Sequence, residues 1–253
     1  MLVAQPPGPE DASHAGLFAP RRPDDRSSHA QRQAIGYLGL LLPVLLGLFA
    51  WWRSVGDFPG WRPLDSVSEY YHSGAVAILT GVLAALAVFL LTYRGYENDG
   101  QRLDRRTGKV AGCAALGVSL FPTAAIPPLT APLWWAEWMK PVHYGSAVAL
   151  FGSFIFYSLV LFRRSDPAKG GPTEDKKRRN LVYLSCGVGM VLCVAWAGLA
   201  GLADRPIFWP EVLALWLFGF SWLTKGRAEW TLREVGKRLR GKAAVSPAPG
   251  FRP

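Results

Sequence analysis

Apolar residues in this chain gather into blocks and do not recur singly at core spacing. Six blocks can be read, at residues 34–52, 73–93, from Val110 onward, 142–162, 181–203 and 207–223. Each is roughly 20 residues long and nearly free of charge, the length that crosses a hydrocarbon layer of about 30 Å as a helix. The pattern predicts an all-α polytopic membrane protein with six transmembrane helices and excludes an ordinary soluble domain. Pro43 falls inside the first block and is expected to kink it. The third block is expected to break at Pro122 and again at Pro127-Pro128, leaving backbone groups that need partners.

The ends of the chain read differently. Residues 1–33 are rich in Pro, Ala, Ser, Arg and Asp without an apolar period, which predicts a disordered tail ahead of a 34–223 transmembrane domain. Residues 224–253 form a basic tail. Within it Ala228, Leu232, Val235 and Leu239 share one face of a helix spanning residues 227–242, with Arg and Lys around the rest. That pattern suits a helix lying on anionic lipid.

Charge then orients the spans. The 253 residues carry 28 Lys and Arg and a net charge of +10. All but Arg53, Arg62, Lys140 and Arg205 lie in the two tails or in the 94–109 and 163–180 connections. By the positive-inside rule both termini face the cytoplasm, and the expected location is the plasma (inner) membrane. The basic excess is then explained by topology and by attraction to anionic lipid at the cytoplasmic face, so the expected partners are the bilayer and its lipids, with no nucleic acid. Trp51, Trp52, Trp61, Trp134, Trp135, Trp138 and Trp209 map to the outer boundary, and Trp222 and Trp230 to the inner one, as in an aromatic belt.

The fifth block carries small residues four apart: Ser185, Gly189, Cys193, Ala197 and Gly201. Small residues let helix backbones approach in lipid, so this helix is expected at the centre of the bundle or, alternatively, at an interface between two copies. The cysteines, Cys113, Cys186 and Cys193, all sit in apolar blocks, which predicts neither a disulfide framework nor a zinc ribbon. No Gly-x4-Gly-Lys-Ser/Thr loop, Gly-x-Gly-x2-Gly fingerprint or nucleophile elbow is present.

Candidate chemistry collects at the outer boundary. His72 and His143 open the second and fourth spans. Ser68 and Glu69 precede His72, Glu211 lies about one turn into the sixth span, and Ser119 and Thr123 flank Pro122. Polar and ionisable groups at membrane depth mark functional sites by default, so Ser68, Glu69, His72, Ser119, Thr123, His143 and Glu211 are expected to line an outward-facing polar pocket. Each has a simpler role open to it: His as an interface residue, Glu211 as a first-turn carboxylate complementing the helix dipole, Ser119 bonded back to its own helix.

Two resemblances attach to these residues. The segment Ser68-Glu69-Tyr70-Tyr71-His72 is similar to the Ser-x3-His element of the alkaline ceramidase and adiponectin-receptor superfamily, which implies a zinc-dependent lipid amide hydrolase. The His-x3-His and intramembrane Asp that complete that family's site have no counterpart here. The segments Ser66-Val67-Ser68-Glu69-Tyr70-Tyr71-His72, Tyr93-Arg94-Gly95-Tyr96 and Gly117-Val118-Ser119-Leu120-Phe121-Pro122-Thr123 resemble a group of bacterial multi-span membrane proteins of unassigned activity. Three functions stay open: binding or transport of a small molecule or lipid in the outer pocket; a metal-dependent hydrolase or haem protein using His72 and His143; and a structural or partner-binding membrane protein, for which the small-residue stripe and basic tail do the work.

Overall fold

The computed structural model describes residues 26–57, 63–95, 101–127, 129–164 and 173–227. The tail before Arg26, the amphipathic segment beyond Arg227, and Trp61, Pro128 and Trp230 lie outside the described residues. Among the described residues six α-helices follow in chain order: α1 (Arg26–Asp57), α2 (Val76–Leu91), α3 (Gln101–Leu120), α4 (Met139–Phe156), α5 (Glu174–Leu202) and α6 (Phe208–Lys225). A 3-10 turn (Ser68–His72) precedes α2, and a single π turn (Tyr157–Leu161) extends α4. Among the described residues there is no strand. Among the described residues three helices are long and apolar enough to cross a membrane, over Ser28–Trp52, Met139–Leu161 and Glu174–Leu202. Val76–Leu91 is a shorter apolar helix.

Helix α1 starts eight residues before the expected boundary at Ala34. Its polar first turns are held by neighbouring helix ends. Gln31 Nε2 donates to the Phe89 carbonyl (2.9 Å) and to Thr92 Oγ1 (3.1 Å), and Gln33 Nε2 donates to the Gly226 carbonyl (2.9 Å). These acceptors lie at the C-terminal ends of α2 and α6, where carbonyls lack intrahelical partners. Residues 26–33 are therefore part of the helical domain.

Each helix packs on its chain neighbours, and α6 closes the ring by packing along α1. The α1–α6 contact is made by glycines. A Cβ on Gly219 would lie 2.7 Å from the Gly36 carbonyl oxygen, and one on Gly36 would lie 2.9 Å from the Gly219 carbonyl oxygen. Helix α3 does the same against α2: Cβ atoms on Gly108 and Gly112 would lie 2.7 Å and 3.0 Å from the Leu90 and Ala87 carbonyls. The buried face of α3 is almost all small (Thr107, Gly108, Ala111, Gly112, Ala114, Ala115, Ser119), which is why it fits between α2 and α4.

The small stripe of α5 behaves otherwise. Residues four apart advance about 40° per step on a 3.6-residue helix, so the stripe winds off any one face. Cys193 at its middle is buried, while Ser185 and Gly201 at its ends are exposed. Gly189 meets the Leu217 side chain, but nothing lies within 4 Å of a Cβ on Gly201. The packed face of α5 is Tyr183, Cys186, Gly187, Met190, Cys193 and Ala200. The expectation of a central α5 is corrected: it lies mainly against α6, with Leu181, Leu192, Leu199 and Leu202 exposed.

The Lys- and Arg-rich end of the bundle holds an aromatic core. Trp222 is fully buried, with its ring centroid 5.0 Å from those of Tyr93, Tyr157 and Phe162. The π turn brings Ser158 Oγ within 2.8 Å of Ser221 Oγ on α6, and Tyr157 donates its hydroxyl proton to the Asp104 carbonyl (2.9 Å). Trp222 is thus a core residue and not a belt residue. At the other end Trp51, Trp52, Trp134, Trp138 and Trp209 are exposed, as a belt requires.

Candidate functional site

The site forms at the end of the bundle that carries few Lys and Arg, where three local structures meet. The first is the 3-10 turn, in which Ser66 Oγ accepts the Glu69 N–H (3.1 Å) and Glu69 Oε2 accepts the Asp65 N–H (3.0 Å). The second is the end of α3. Leu120 is its last residue because Pro122 cannot donate an N–H and disfavours helical backbone before it. The third is the first turn of α6, fixed when Ile207 and Phe208 donate their N–H groups to the Asp65 carbonyl (2.7 and 2.8 Å).

Breaking α3 frees successive carbonyls, and three ring N–H groups take them in order. His143 Nδ1 lies 2.6 Å from the Phe121 oxygen, Trp135 Nε1 lies 3.2 Å from the Pro122 oxygen, and His72 Nε2 lies 2.8 Å from the Thr123 oxygen. At the Pro122 break, the Phe121, Pro122 and Thr123 carbonyls therefore have partners. The carbonyls only accept, so each ring nitrogen facing one carries the proton. In the neutral ring this leaves His143 with Nε2 as its acceptor. The Nε2 of His143 lies 2.9 Å from Ser68 Oγ, so the serine hydroxyl donates to it. His72 Nδ1 is buried without a hydrogen-bond partner.

The other expected members are placed as follows. Thr123 is buried and Ser119 donates its hydroxyl to the Thr80 carbonyl (3.3 Å), between α3 and α2. Glu211 Oε2 accepts the Val67 N–H (2.7 Å), tying α6 to the turn. Burial raises the Glu69 carboxyl above its ordinary value, while the N–H groups of Asp65 and Ser66 partly offset this. Burial also raises the phenol of Tyr70, and the Leu64 backbone partly offsets this. Glu137 stands outside the site, exposed and 3.8 Å from Lys140 Nζ. Asp204 serves the chain reversal after α5, at φ 50° with Arg205 N–H bonded to the Ala200 carbonyl (2.9 Å).

Ser68, His72, Thr123 and His143 thus form one connected set. Glu69 and Glu211 brace the turn that carries Ser68, and Ser119 sits one turn away. The sequence reading missed Trp135 as a site member, having assigned it to the belt. The signal was its place in the irregular stretch beside the broken helix. Metal ligation fits this geometry poorly. Both ring nitrogens of His143 and one of His72 are already bonded, and among the described residues no group of three or more His, Cys, Asp or Glu converges.

No protein-family model matches this chain, and no curated protein or solved structure shows significant similarity to it.

Proposed function

We propose that the protein is a multi-pass plasma-membrane protein with six spans and both termini cytoplasmic, and that its outward-facing polar site binds a small molecule or lipid at headgroup depth. The topology is supported by the division of Lys and Arg between the two sets of connections. The binding reading is carried by one observation: a half-buried Ser68 hydroxyl held on a buried, neutral-tautomer His143 where α3 unwinds. Irregular backbone at membrane depth occurs where protein or water covers it, and this is where such a site would be built.

Cysteine mapping tests both parts. In a background with Cys113, Cys186 and Cys193 replaced by Ala, an impermeant maleimide on intact cells should label Glu137→Cys and Ser68→Cys. It should label Arg178→Cys only after permeabilisation. Labelling of Arg178→Cys from outside overturns the topology, and an inert Ser68→Cys overturns the open site.

A second reading has its own observation. Three ring N–H groups on three consecutive carbonyls make a latch that holds the broken end of α3 against α2 and α4. On that reading His72 and His143 serve structure, and the protein acts through its packing or its basic tail. A hydrolase or haem protein using His72 and His143 as metal ligands is disfavoured, because ligation would require His143 to release one of its two bonds.

A further inference from the structure

We propose that Ser68 and His143 are a nucleophile–base pair that removes the acyl group from a carboxylic ester presented at the lipid–water interface. This rests on the outward-facing reading of the site.

The argument begins with the direction of the hydrogen bonds. Phe121 can only accept, so His143 Nδ1 is protonated and Nε2 is the base. Ser68 therefore donates its proton toward Nε2 along the 2.9 Å contact and keeps its lone pairs for attack. A base held from behind by an acceptor, with a hydroxyl in front, is the arrangement that activates serine. Here the Phe121 carbonyl does the orienting that a carboxylate does in a triad.

Neighbouring serines serve as internal controls. Ser66 Oγ caps the turn through Glu69 N–H, and Ser73 Oγ bonds the Tyr70 carbonyl and the Ala75 N–H. Ser119 and Ser153 donate to backbone carbonyls. Ser68, half-buried at the start of the 3-10 turn, instead spans 75 positions in sequence to reach an imidazole.

The substrate class follows from the surroundings. The 129–138 connection beside the site exposes Leu133, Trp134 and Trp138, side chains suited to headgroup depth, and Trp135 anchors it to Pro122. The ester linkages of glycerolipids lie at that depth. In the reaction Ser68 Oγ bonds to the ester carbonyl carbon as His143 Nε2 takes the hydroxyl proton. The tetrahedral adduct then breaks its bond to the leaving oxygen, which receives that proton and departs as the alcohol. Water, deprotonated by Nε2, next attacks acyl-Ser68, releasing the acid and returning the proton to Ser68. The sum is ester plus water giving acid plus alcohol.

A carbonyl stabilises imidazolium less than a carboxylate does, so turnover is slow and covalent capture is the better readout. The full-length protein in nanodiscs is treated with two fluorophosphonates, one with a long alkyl chain and one with a short polar tail, and the adduct is mapped by mass spectrometry. Adduct on Ser68, absent in Ser68→Ala and slowed at least about 100-fold in His143→Gln, is the expected result, with the long-chain probe faster. Gln can still donate to Phe121, which keeps His143→Gln folded. Where it fails to fold, Ser68→Ala and the site of the adduct decide alone. No Ser68 adduct, although Ser68→Cys is labelled by the impermeant maleimide, overturns the nucleophile and leaves the binding site standing. An inert Ser68→Cys removes both. A faster short-tailed probe overturns the lipid substrate.

Discussion

Replacing Gly219 with Ala inserts one methyl where α1 and α6 touch through their backbones. The new Cβ would lie 2.7 Å from the Gly36 oxygen and 2.7 Å from Leu40 Cγ, while ordinary contact begins at 3.4 Å. The helices must therefore separate by about 0.7 Å, since a carbonyl fixed in a helix cannot swing aside. Overpacking of this kind costs about 1–3 kcal/mol. Alanine's better helix propensity returns close to 1 kcal/mol, leaving a net destabilisation of roughly 0–2 kcal/mol. Gly201→Ala is the control: with nothing within 4 Å of its Cβ, only the propensity gain applies. At about 2–4 °C per kcal/mol for a chain of this size, Gly219→Ala should melt up to roughly 8 °C lower than wild type. Gly201→Ala should melt at or slightly above it. Intrinsic tryptophan fluorescence during heating in nanodiscs reads both. Equal melting of the two variants would refute the claim that α1 and α6 meet through glycine.

Other expectations follow from single bonds. Ser158→Ala strands the Ser221 hydroxyl in the core and should cost about 1–3 kcal/mol, whereas the double Ser158→Ala/Ser221→Ala variant should recover most of that; a double-mutant cycle in chemical denaturation checks it, and additive losses would contradict the pairing. Trp135→Phe leaves the Pro122 carbonyl without its donor and should lower stability by about 1–3 kcal/mol, with hydrogen exchange rising between residues 119 and 126. For Glu69 the folded carboxyl titrates above its ordinary 4.5, so its protonated form favours folding. That contribution is complete below the unfolded value and is lost as pH rises through the folded one. Glu69→Gln should therefore gain on wild type as pH rises above the ordinary 4.5 of the unfolded carboxyl, and a melting difference independent of pH would refute the burial argument.

Much of the helical layout was legible because it rests on one-dimensional signals. The apolar block read at 142–162 became a helix and π turn over Met139–Leu161, and the block at 207–223 became Phe208–Lys225. Helix α3 was legible only in its second half. Arg102, Asp104, Arg105, Arg106 and Lys109 mask its N-terminal turns, although the Gly108-x3-Gly112 pair marks the face that meets the α2 backbone. The stripe on α5 misled because a spacing of four drifts from a pitch of 3.6, a difference that grows with each turn. At the site, the break at Pro122 and the shared depth of His72 and His143 could be read from position. The order in which three ring N–H groups take three carbonyls depends on where α2, α3 and α4 meet, and no local pattern encodes that.

The pairing of α1 with α6 also bears on how the molecule is made. The partner of Gly36 is Gly219, more than 180 positions later. At about 5–20 residues per second, a ribosome needs roughly 10–40 s to supply it. Through that interval the first helix waits with its seam open, and any neighbouring span that fits two glycines can occupy it. The emergence of α6 is then what ends this exposure, so it is the arrival of Gly219, not that of Gly36, that commits these helices to their closed form.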